Sequence, residues 1–424
     1  MKFSLDKKSW WLLILGLLYP VTFRIWGIVR LGEIVAILLG FWAMMKYGRS
    51  YMKIKSFSIL ILLYCLCLFA IPVSDWLNHT AAIDAIKGFG TFAFLFPFFF
   101  VSMWLLSDDV SRIKYFVLAN VVAQWIVVMF FPSLSYEASM YLESATSIEE
   151  KLNLENELFA YQYAPIVLAL LCVTYGKHQR LVSFLLLPVG LFFLFGGSRN
   201  LFLIYGVSAI ILLIIGKVDE SNKFRKLLYL KKNIFLIVVF IGIAALCVKN
   251  IYASLAEAGY LGEKAQYKYE VQSKSGNLFK GGRSEFFIGL YAISKDPVWG
   301  YGSFAKDKYG ICEEYARIND EYNYRTKNDL IPAHSYILQY WLWYGLPAVP
   351  FWIYIIYLFV YSFFRSCCYK PEMTAYFVVS IAAMLYHIFF SPFQNRLNFS
   401  LLVICVLLMN YYTKKETAIK RFAV

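Results

Sequence analysis

Residues 57–73 read FSILILLYCLCLFAIPV, an apolar run without a charged side chain. A helix rises about 1.5 Å per residue, so this run covers most of the hydrocarbon core of a bilayer. A segment inside a bilayer must satisfy its own backbone hydrogen bonds, and a helix does so within one segment. The run therefore predicts a membrane-spanning helix.

Comparable runs recur along the chain of 424 residues, which is 60% hydrophobic and has a mean hydropathy of +0.58. They predict an all-α fold, a polytopic transmembrane helical bundle of about twelve spans. The predicted spans lie near residues 10–23, 31–45, 57–73, 89–106, 115–131, 158–175, 181–195, 201–215, 234–248, 346–364, 374–390 and 397–412.

The lysine and arginine residues behind the net charge of +14 cluster in short segments between these runs. When the spans are threaded in order, every cluster falls on one side, which the positive-inside rule identifies as the cytoplasm. Both termini are then cytoplasmic, and the distribution argues against a nucleic-acid partner. The clusters lie at residues 2–8, 46–55, 112–114, 177–180, 217–232, 365–370 and 414–421.

One long polar segment, residues 249–333, separates the ninth and tenth predicted spans and falls on the opposite side. The chain therefore divides into three parts. Residues 1–248 carry the first nine spans with short loops. Residues 249–345 form the large loop and a re-entry helix, and residues 346–424 carry the last three spans and a cytoplasmic tail.

The first candidate site residue is Arg199, in the sequence FGGSRN at residues 195–200. The two glycines permit a tight turn, and a helix expected from about Asn200 would present its N-terminus at the outer face. An arginine beside free backbone N–H groups suits an anion. The alternative is an interfacial arginine whose side chain extends to the lipid headgroups.

The second candidate is Arg283, in GGRSE at residues 281–285, before a predicted helix over residues 286–295. The sequence DPVWGYG at residues 296–302 ends that helix, because proline cannot continue it. Arg283 could bind an anion, or it could form a structural ion pair with Glu285 or another acid of the loop. Tyr301 belongs to a tyrosine-rich loop whose rings could stack on sugars or simply pack within the loop.

The third candidate is His334, where the loop returns to the membrane before a predicted helix over residues 336–344. A neutral imidazole here could take a proton from a sugar hydroxyl. The alternative is a histidine that caps the helix or lies at the membrane interface. His387, in the eleventh run, fits a buried partner better than a catalyst.

Motifs for metal or nucleotide chemistry are absent from the sequence: there is no HExxH, no paired cysteine ligand set, no Walker loop and no dinucleotide fingerprint. We therefore expect no metal and no cofactor, and the energy of any reaction must come from an activated substrate. A transporter is a further alternative, but transporters usually place charges or helix breaks in paired halves, which this sequence does not show.

Three motifs in this chain resemble those of the bacterial O-antigen polymerase and ligase superfamily. They are SR at residues 198–199, GR at residues 282–283 followed by DPVWGYG at residues 296–302, and HS at residues 334–335 followed by Gly345. Members of the superfamily have about a dozen spans and one long periplasmic loop. The likeness in residues is confined to about residues 196–347. The spacing from Arg283 to Gly300 is one residue longer than in many polymerases. Ala348 stands where ligases often carry glycine, threonine or tyrosine, which favours a polymerase.

The resemblance implies a glycosyltransferase that polymerises oligosaccharide repeat units linked to undecaprenyl pyrophosphate into O-antigen or a related surface polysaccharide. Arg199 and Arg283 match arginines that hold the pyrophosphate, and His334 matches the histidine that activates the acceptor. We therefore expect Arg199, Arg283 and His334 to be catalytic residues. The expected substrate-binding residues are Arg199, Arg283, Arg396 and Tyr301. The alternatives are a ligase that transfers the glycan to lipid A-core and a polysaccharide transporter.

The resemblance also implies a location and a set of partners. The protein is expected in the bacterial inner membrane as a multi-pass protein, with its active site facing the periplasm. Its expected partners are lipid-linked glycan donor and acceptor, membrane lipids and a protein that regulates chain length, with no nucleic acid.

Overall fold

A computed structural model describes residues 5–24, 28–131, 134, 163–173, 179–195, 198–218, 253–260, 262, 266, 269–270, 284–318, 329–363, 371–391, 393 and 395–422. In these ranges the chain is mainly helical, as the sequence predicted. The helices are α1 Lys7–Leu18, α2 Leu31–Tyr51, α3 Lys55–Leu77, α4 Ala82–Ala93, α5 Leu95–Leu106, α6 Ile113–Phe130, α7 Tyr163–Val173, α8 Gln179–Phe195, α9 Arg199–Val218, α10 Ser284–Lys295, α11 Ile311–Ile318, α12 Tyr336–Tyr344, α13 Val349–Phe363, α14 Thr374–Phe390 and α15 Arg396–Phe422.

Short elements accompany these helices. A two-stranded sheet pairs β1 Thr22–Arg24 with β2 Ile28–Arg30. Single 3-10 turns occupy Val110–Arg112, Leu346–Ala348 and Pro371–Met373.

Four helical stretches among the described residues are long and apolar enough to cross a membrane: Leu31–Tyr51, Lys55–Leu77, Ala82–Leu106 and Val110–Phe130. The chain is therefore a helical membrane protein. Every predicted span overlaps a helix except the one at residues 234–248, which lies outside the described residues. The first predicted span, at residues 10–23, runs beyond the end of α1 at Leu18 into β1.

The boundary between the third and fourth predicted spans was also wrong. The sequence placed these spans at residues 57–73 and 89–106, but α3 continues to Leu77 and α4 begins at Ala82. Asp84 and Lys87 lower the hydropathy of the first turns of α4, so the sequence did not predict a helix there. Asp84 is on a helical turn and pairs with Lys306, 3.3 Å away.

The chain divides into two compact units. Unit 1 comprises residues 1–22, 111–274 and 363–383, and unit 2 comprises residues 23–110, 275–362 and 384–424. In unit 1, Gly16 of α1 lies against the backbone of α6, where an added Cβ would be 2.5 Å from the Phe116 carbonyl oxygen. Helices α8 and α9 form a second pair, in which Phe193 and Tyr205 stack with centroids 5.3 Å apart.

In unit 2, α3 and α4 form an antiparallel pair in which the Tyr64 hydroxyl donates to the Phe92 carbonyl oxygen at 2.9 Å. Beside them, buried aromatic rings join α12, α13 and the segment before α15. Tyr340 lies 5.2 Å from Trp352, and Trp352 lies 5.5 Å from Phe393, between ring centroids. This aromatic core fixes α12, whose N-terminal end carries His334.

Candidate active site

His334 precedes the N-cap of α12, and that cap is firmly anchored. Ser335 is fully buried, and its Oγ accepts the Leu338 N–H at 3.2 Å. The same hydroxyl donates to the Ile388 carbonyl oxygen of α14 at 2.8 Å. The backbone at residue 334 is therefore held by two helices, while the His334 side chain stays 53% exposed.

Glu285, in the first turn of α10, places its carboxylate in direct contact with Nδ1 of His334. Gly289 explains how the two segments approach each other. It lies one turn after Glu285 on the same face of α10, and an added Cβ would be only 3.2 Å from the Pro332 carbonyl oxygen. A larger residue at 289 would separate α10 from the segment before His334.

This contact gives the imidazole a defined role. A neutral imidazole that donates its Nδ1–H to a carboxylate has its lone pair on Nε2, so Nε2 is the atom that accepts a proton. The carboxylate also stabilises the imidazolium that forms on protonation. The Glu285 side chain is 37% exposed, so the pair is accessible from outside the fold. A carboxylate in contact with one ring nitrogen of a histidine is also the arrangement that orients histidine bases in enzymes.

Arg283 lies outside the described residues. In the sequence it precedes Glu285 by two positions, directly before the start of α10. The structure therefore does not describe the suggested ion pair between Arg283 and Glu285. It does describe the contact of Glu285 with His334. The anion-binding role of Arg283 stays a prediction.

Tyr301 is described and is 6% exposed. Its hydroxyl donates to the Ala292 carbonyl oxygen of α10 at 2.8 Å. Burial, and after it the nearby Asp296 carboxylate, raises the pKa of Tyr301 to about 12. The hydroxyl thus stays protonated and holds the 296–302 turn on α10. Binding of substrate by Tyr301 stays a prediction and would require this hydrogen bond to be exchanged.

The DPVWGYG turn is clamped between the ends of α3 and α12. Its backbone pairs with α12 through Tyr301 N–H to Leu342 O at 2.8 Å and Gly302 N–H to Trp343 O at 2.9 Å. Gly300 and Gly302 have φ of +71° and +78°, a region that glycine adopts without strain. Both positions lack room for a side chain, since a Cβ on Gly300 would be 2.6 Å from Leu342 O. The glycines of this motif serve close packing.

A buried carboxylate completes the clamp. Asp75 of α3 accepts the Ser303 N–H at 2.6 Å and the Ser303 Oγ–H at 2.9 Å. The Ser303 Oγ is also 3.1 Å from the Tyr344 hydroxyl. Asn78 donates from Nδ2 to the Gly300 carbonyl oxygen at 2.9 Å. Sequence analysis missed these residues, although one carboxylate at the end of an apolar run is a usable signal.

Arg396 begins α15 and is buried against α2. Its Nε donates to Glu33 Oε1 at 3.2 Å and its Nη2 to Glu33 Oε2 at 2.6 Å, a two-point contact. The guanidinium also lies 5.4 Å from the centroid of the Phe94 ring. Substrate binding by Arg396 stays a prediction, and the described contacts give it a structural role.

Arg199 begins α9, close to the predicted start at Asn200. Ser198 before it is buried, and its N–H donates to the Phe193 carbonyl oxygen of α8 at 2.8 Å. Arg199 belongs to unit 1, whereas His334, Glu285, Tyr301 and Arg396 belong to unit 2. Its position at a helix N-terminus is the local geometry expected for an anion site.

No group of three or more His, Cys, Asp and Glu side chains within the described ranges is placed to hold a metal ion. No protein-family model matches the chain, and no curated protein matches its sequence.

Proposed function

We propose that this protein is an inner-membrane glycosyltransferase that polymerises undecaprenyl-pyrophosphate-linked oligosaccharide repeat units. The observation that supports this best is the contact between Glu285 and the exposed His334. The contact orients the His334 imidazole, and the orienting carboxylate of Glu285 lies two positions after Arg283 in the sequence. We also propose about twelve spans, from the apolar runs, cytoplasmic termini, from the distribution of basic residues, and a periplasmic active site, from the resemblance.

In the proposed reaction, a sugar hydroxyl of the acceptor attacks the anomeric carbon of the donor glycan. His334 Nε2 takes the hydroxyl proton as the new C–O bond forms. The bond between the anomeric carbon and undecaprenyl pyrophosphate breaks, and the pyrophosphate leaves with the electron pair. Attack from the side opposite to the leaving group inverts the anomeric configuration.

The leaving pyrophosphate develops negative charge, and we assign its binding to Arg283 and Arg199 on the resemblance of their motifs. A guanidinium stays charged and binds phosphate oxygens at two points, which lowers the barrier where charge appears. Glu285 holds the His334 imidazole in orientation and stabilises its protonated form. This chemistry requires no metal.

The test uses purified protein in lipid nanodiscs with a lipid-linked repeat unit, supplied alone or together with a lipid A-core acceptor. A polymerase lengthens the lipid-linked glycan without the core. A ligase forms product only with the core, and a transporter leaves every glycosidic bond intact. Mass spectrometry of the lipid-linked products distinguishes the three.

His79→Asn provides a matched control for His334→Ala. His79 is an exposed histidine of the same unit, and asparagine tolerates its positive φ of 49°. We expect His334→Ala to lose product formation and His79→Asn to retain it. Equal activity of both variants would contradict the proposed site.

A further inference from the structure

Three adjoining segments near the end of α3 each carry exposed large apolar side chains, namely Trp76, Val298, Trp299 and Leu346, and we name these four the apolar cap. Trp76 is 75% exposed and Trp299 is 45% exposed. The Leu346 N–H donates to the Val298 carbonyl oxygen at 3.0 Å, and Ser74 Oγ lies 2.6 Å from the Trp299 carbonyl oxygen. The cap therefore brings three separate segments of unit 2 together.

The fold presents this cap rigidly. Gly345, between α12 and Leu346, has φ of +72°, and the Val298 carbonyl oxygen fills the place of its missing Cβ. The Trp341 Nε1–H donates to the Pro297 carbonyl oxygen at 2.8 Å, directly before Val298. Apolar side chains held outward by such contacts indicate a binding surface, because a collapse onto the fold would have to break them.

The cap continues a lipid-facing stripe. Leu62, Phe69 and Trp76 are all exposed and recur at seven-residue intervals, so they share one face of α3. Helix α3 is long and apolar enough to cross a membrane, so an exposed apolar face on it is the composition expected of a lipid-facing surface. On α13, Ile353 is also exposed, one heptad after Leu346. The cap thus lies at the end of two apolar stripes.

Basic side chains accompany the cap. Lys308 donates to the Asn78 carbonyl oxygen just beyond the end of α3, and Lys306 pairs with Asp84 of α4. Lys87 of α4 is exposed. Tryptophan beside lysine is the composition found at the level of lipid headgroups, where the ring meets acyl chains and the ammonium meets phosphate.

We infer that the apolar cap lies in the boundary between the lipid headgroups and the acyl chains. The partner of this surface is the membrane itself, independently of any reaction. The cap sits at the C-terminal end of α12, whereas His334 lies at the N-terminal end, about 13 Å away along a nine-residue helix. Anchoring the cap therefore fixes the depth of the helix that carries the candidate base.

The test places an environment-sensitive fluorescent amino acid at residue 299 or 346, in nanodiscs containing lipids with a quencher at the headgroup, the upper acyl chain or the chain end. Residue 309 is the aqueous control, because Tyr309 is 76% exposed in the same loop. Residue 69 on α3 is the acyl-chain control. Thermal unfolding of each labelled protein verifies that it is folded.

The inference predicts that probes at 299 and 346 are quenched most by the upper-chain label. It also predicts at least about threefold weaker quenching by aqueous iodide than at residue 309. Iodide quenching equal to that at 309 overturns the inference. Protection from both lipid quenchers and iodide also overturns it, since a protein partner or a second copy would then cover the cap.

Discussion

The carboxylate of Glu285 contacts Nδ1 of His334, although the two residues lie in segments separated by the turn at residues 296–302 and by α11. Helix α10 presents the carboxylate, and the buried Ser335 fixes the imidazole. The contact gives the exposed His334 a described carboxylate partner. We propose that Nε2, the ring nitrogen that does not contact Glu285 in this pair, accepts the proton.

The first prediction concerns Glu285. Glu285→Gln removes the charge that orients and stabilises the His334 imidazolium, so kcat should fall by roughly 10²–10⁴-fold. Glu285→Asp should restore part of the loss. Glu314→Gln is the matched control, because Glu314 is an exposed acid of the same unit that pairs with Lys295 at 3.1 Å. If Glu285→Gln and Glu314→Gln both retain full turnover, Glu285 has no part in the reaction.

The second prediction tests the clamp around residues 296–302. Gly302→Ala should lower the free energy of unfolding by roughly 3 kcal/mol or more, because a Cβ there meets the Thr80 hydroxyl and the φ is +78°. Gly310→Ala has a similar positive φ but open space around it, so it should cost only about 1–2 kcal/mol. Unfolding in detergent measures both. Equal losses would show that steric contact at residue 302 is unimportant.

The third prediction concerns the buried pair of Glu33 and Arg396. Removing one partner, as in Glu33→Leu or Arg396→Met, leaves the other charge buried and should destabilise the protein by about 3–5 kcal/mol. The double variant should be closer to wild-type stability than either single variant, because no charge remains uncompensated. If the double variant lost as much free energy of unfolding as the sum of the two single losses, the two charges would not be coupled.

The same double variant also tests the predicted substrate contact of Arg396. If Arg396 binds the donor, the folded double variant should lose donor affinity. If its role is only structural, donor binding should be unchanged.

The fourth prediction concerns the Cys312 thiol. Burial, and after it a hydrogen bond with Asp307 and the charge of that carboxylate, raises the pKa of Cys312. A raised pKa keeps the thiol protonated at pH 7–9, and only the thiolate reacts with alkylating reagents. Cys312 should therefore resist iodoacetamide in the folded protein and react after unfolding. A cysteine introduced by Tyr309→Cys is the exposed control, and equal labelling of both sites would contradict the prediction.

The sequence predicted the helices well because their signal is local. A run such as residues 57–73 carries its own hydropathy, and α3 occupies it in the structure. The start of α4 was missed because charged residues in its first turns obscured the same signal. Mean hydropathy is taken over a window of residues, so it falls where a helix end carries charged side chains. It therefore does not indicate a polar helix end that packs on a loop.

The pairings of the candidate site could not be predicted, because each joins remote segments. Asp75 and Glu33 stand out in the sequence as acids within or beside apolar runs, yet nothing local names Ser303 or Arg396 as partners. The glycines at residues 300 and 302 mark the end of a helix in the sequence, but only the fold shows their close packing, Gly300 on α12 and Gly302 on the segment at the end of α3. His334 was identified from its position, and its contact with Glu285 required the fold.

The measurement that tests the central proposal most directly compares donor binding and turnover in Arg283→Ala and His334→Ala, with a purified lipid-linked repeat unit in nanodiscs. Arg283→Ala should weaken donor binding as well as turnover, because the pyrophosphate is charged before and after bond cleavage. His334→Ala should bind donor normally and lose roughly 10²–10⁴-fold in turnover at saturation. A His334→Ala variant that loses donor affinity but keeps its turnover would contradict the assignment of His334 as the base.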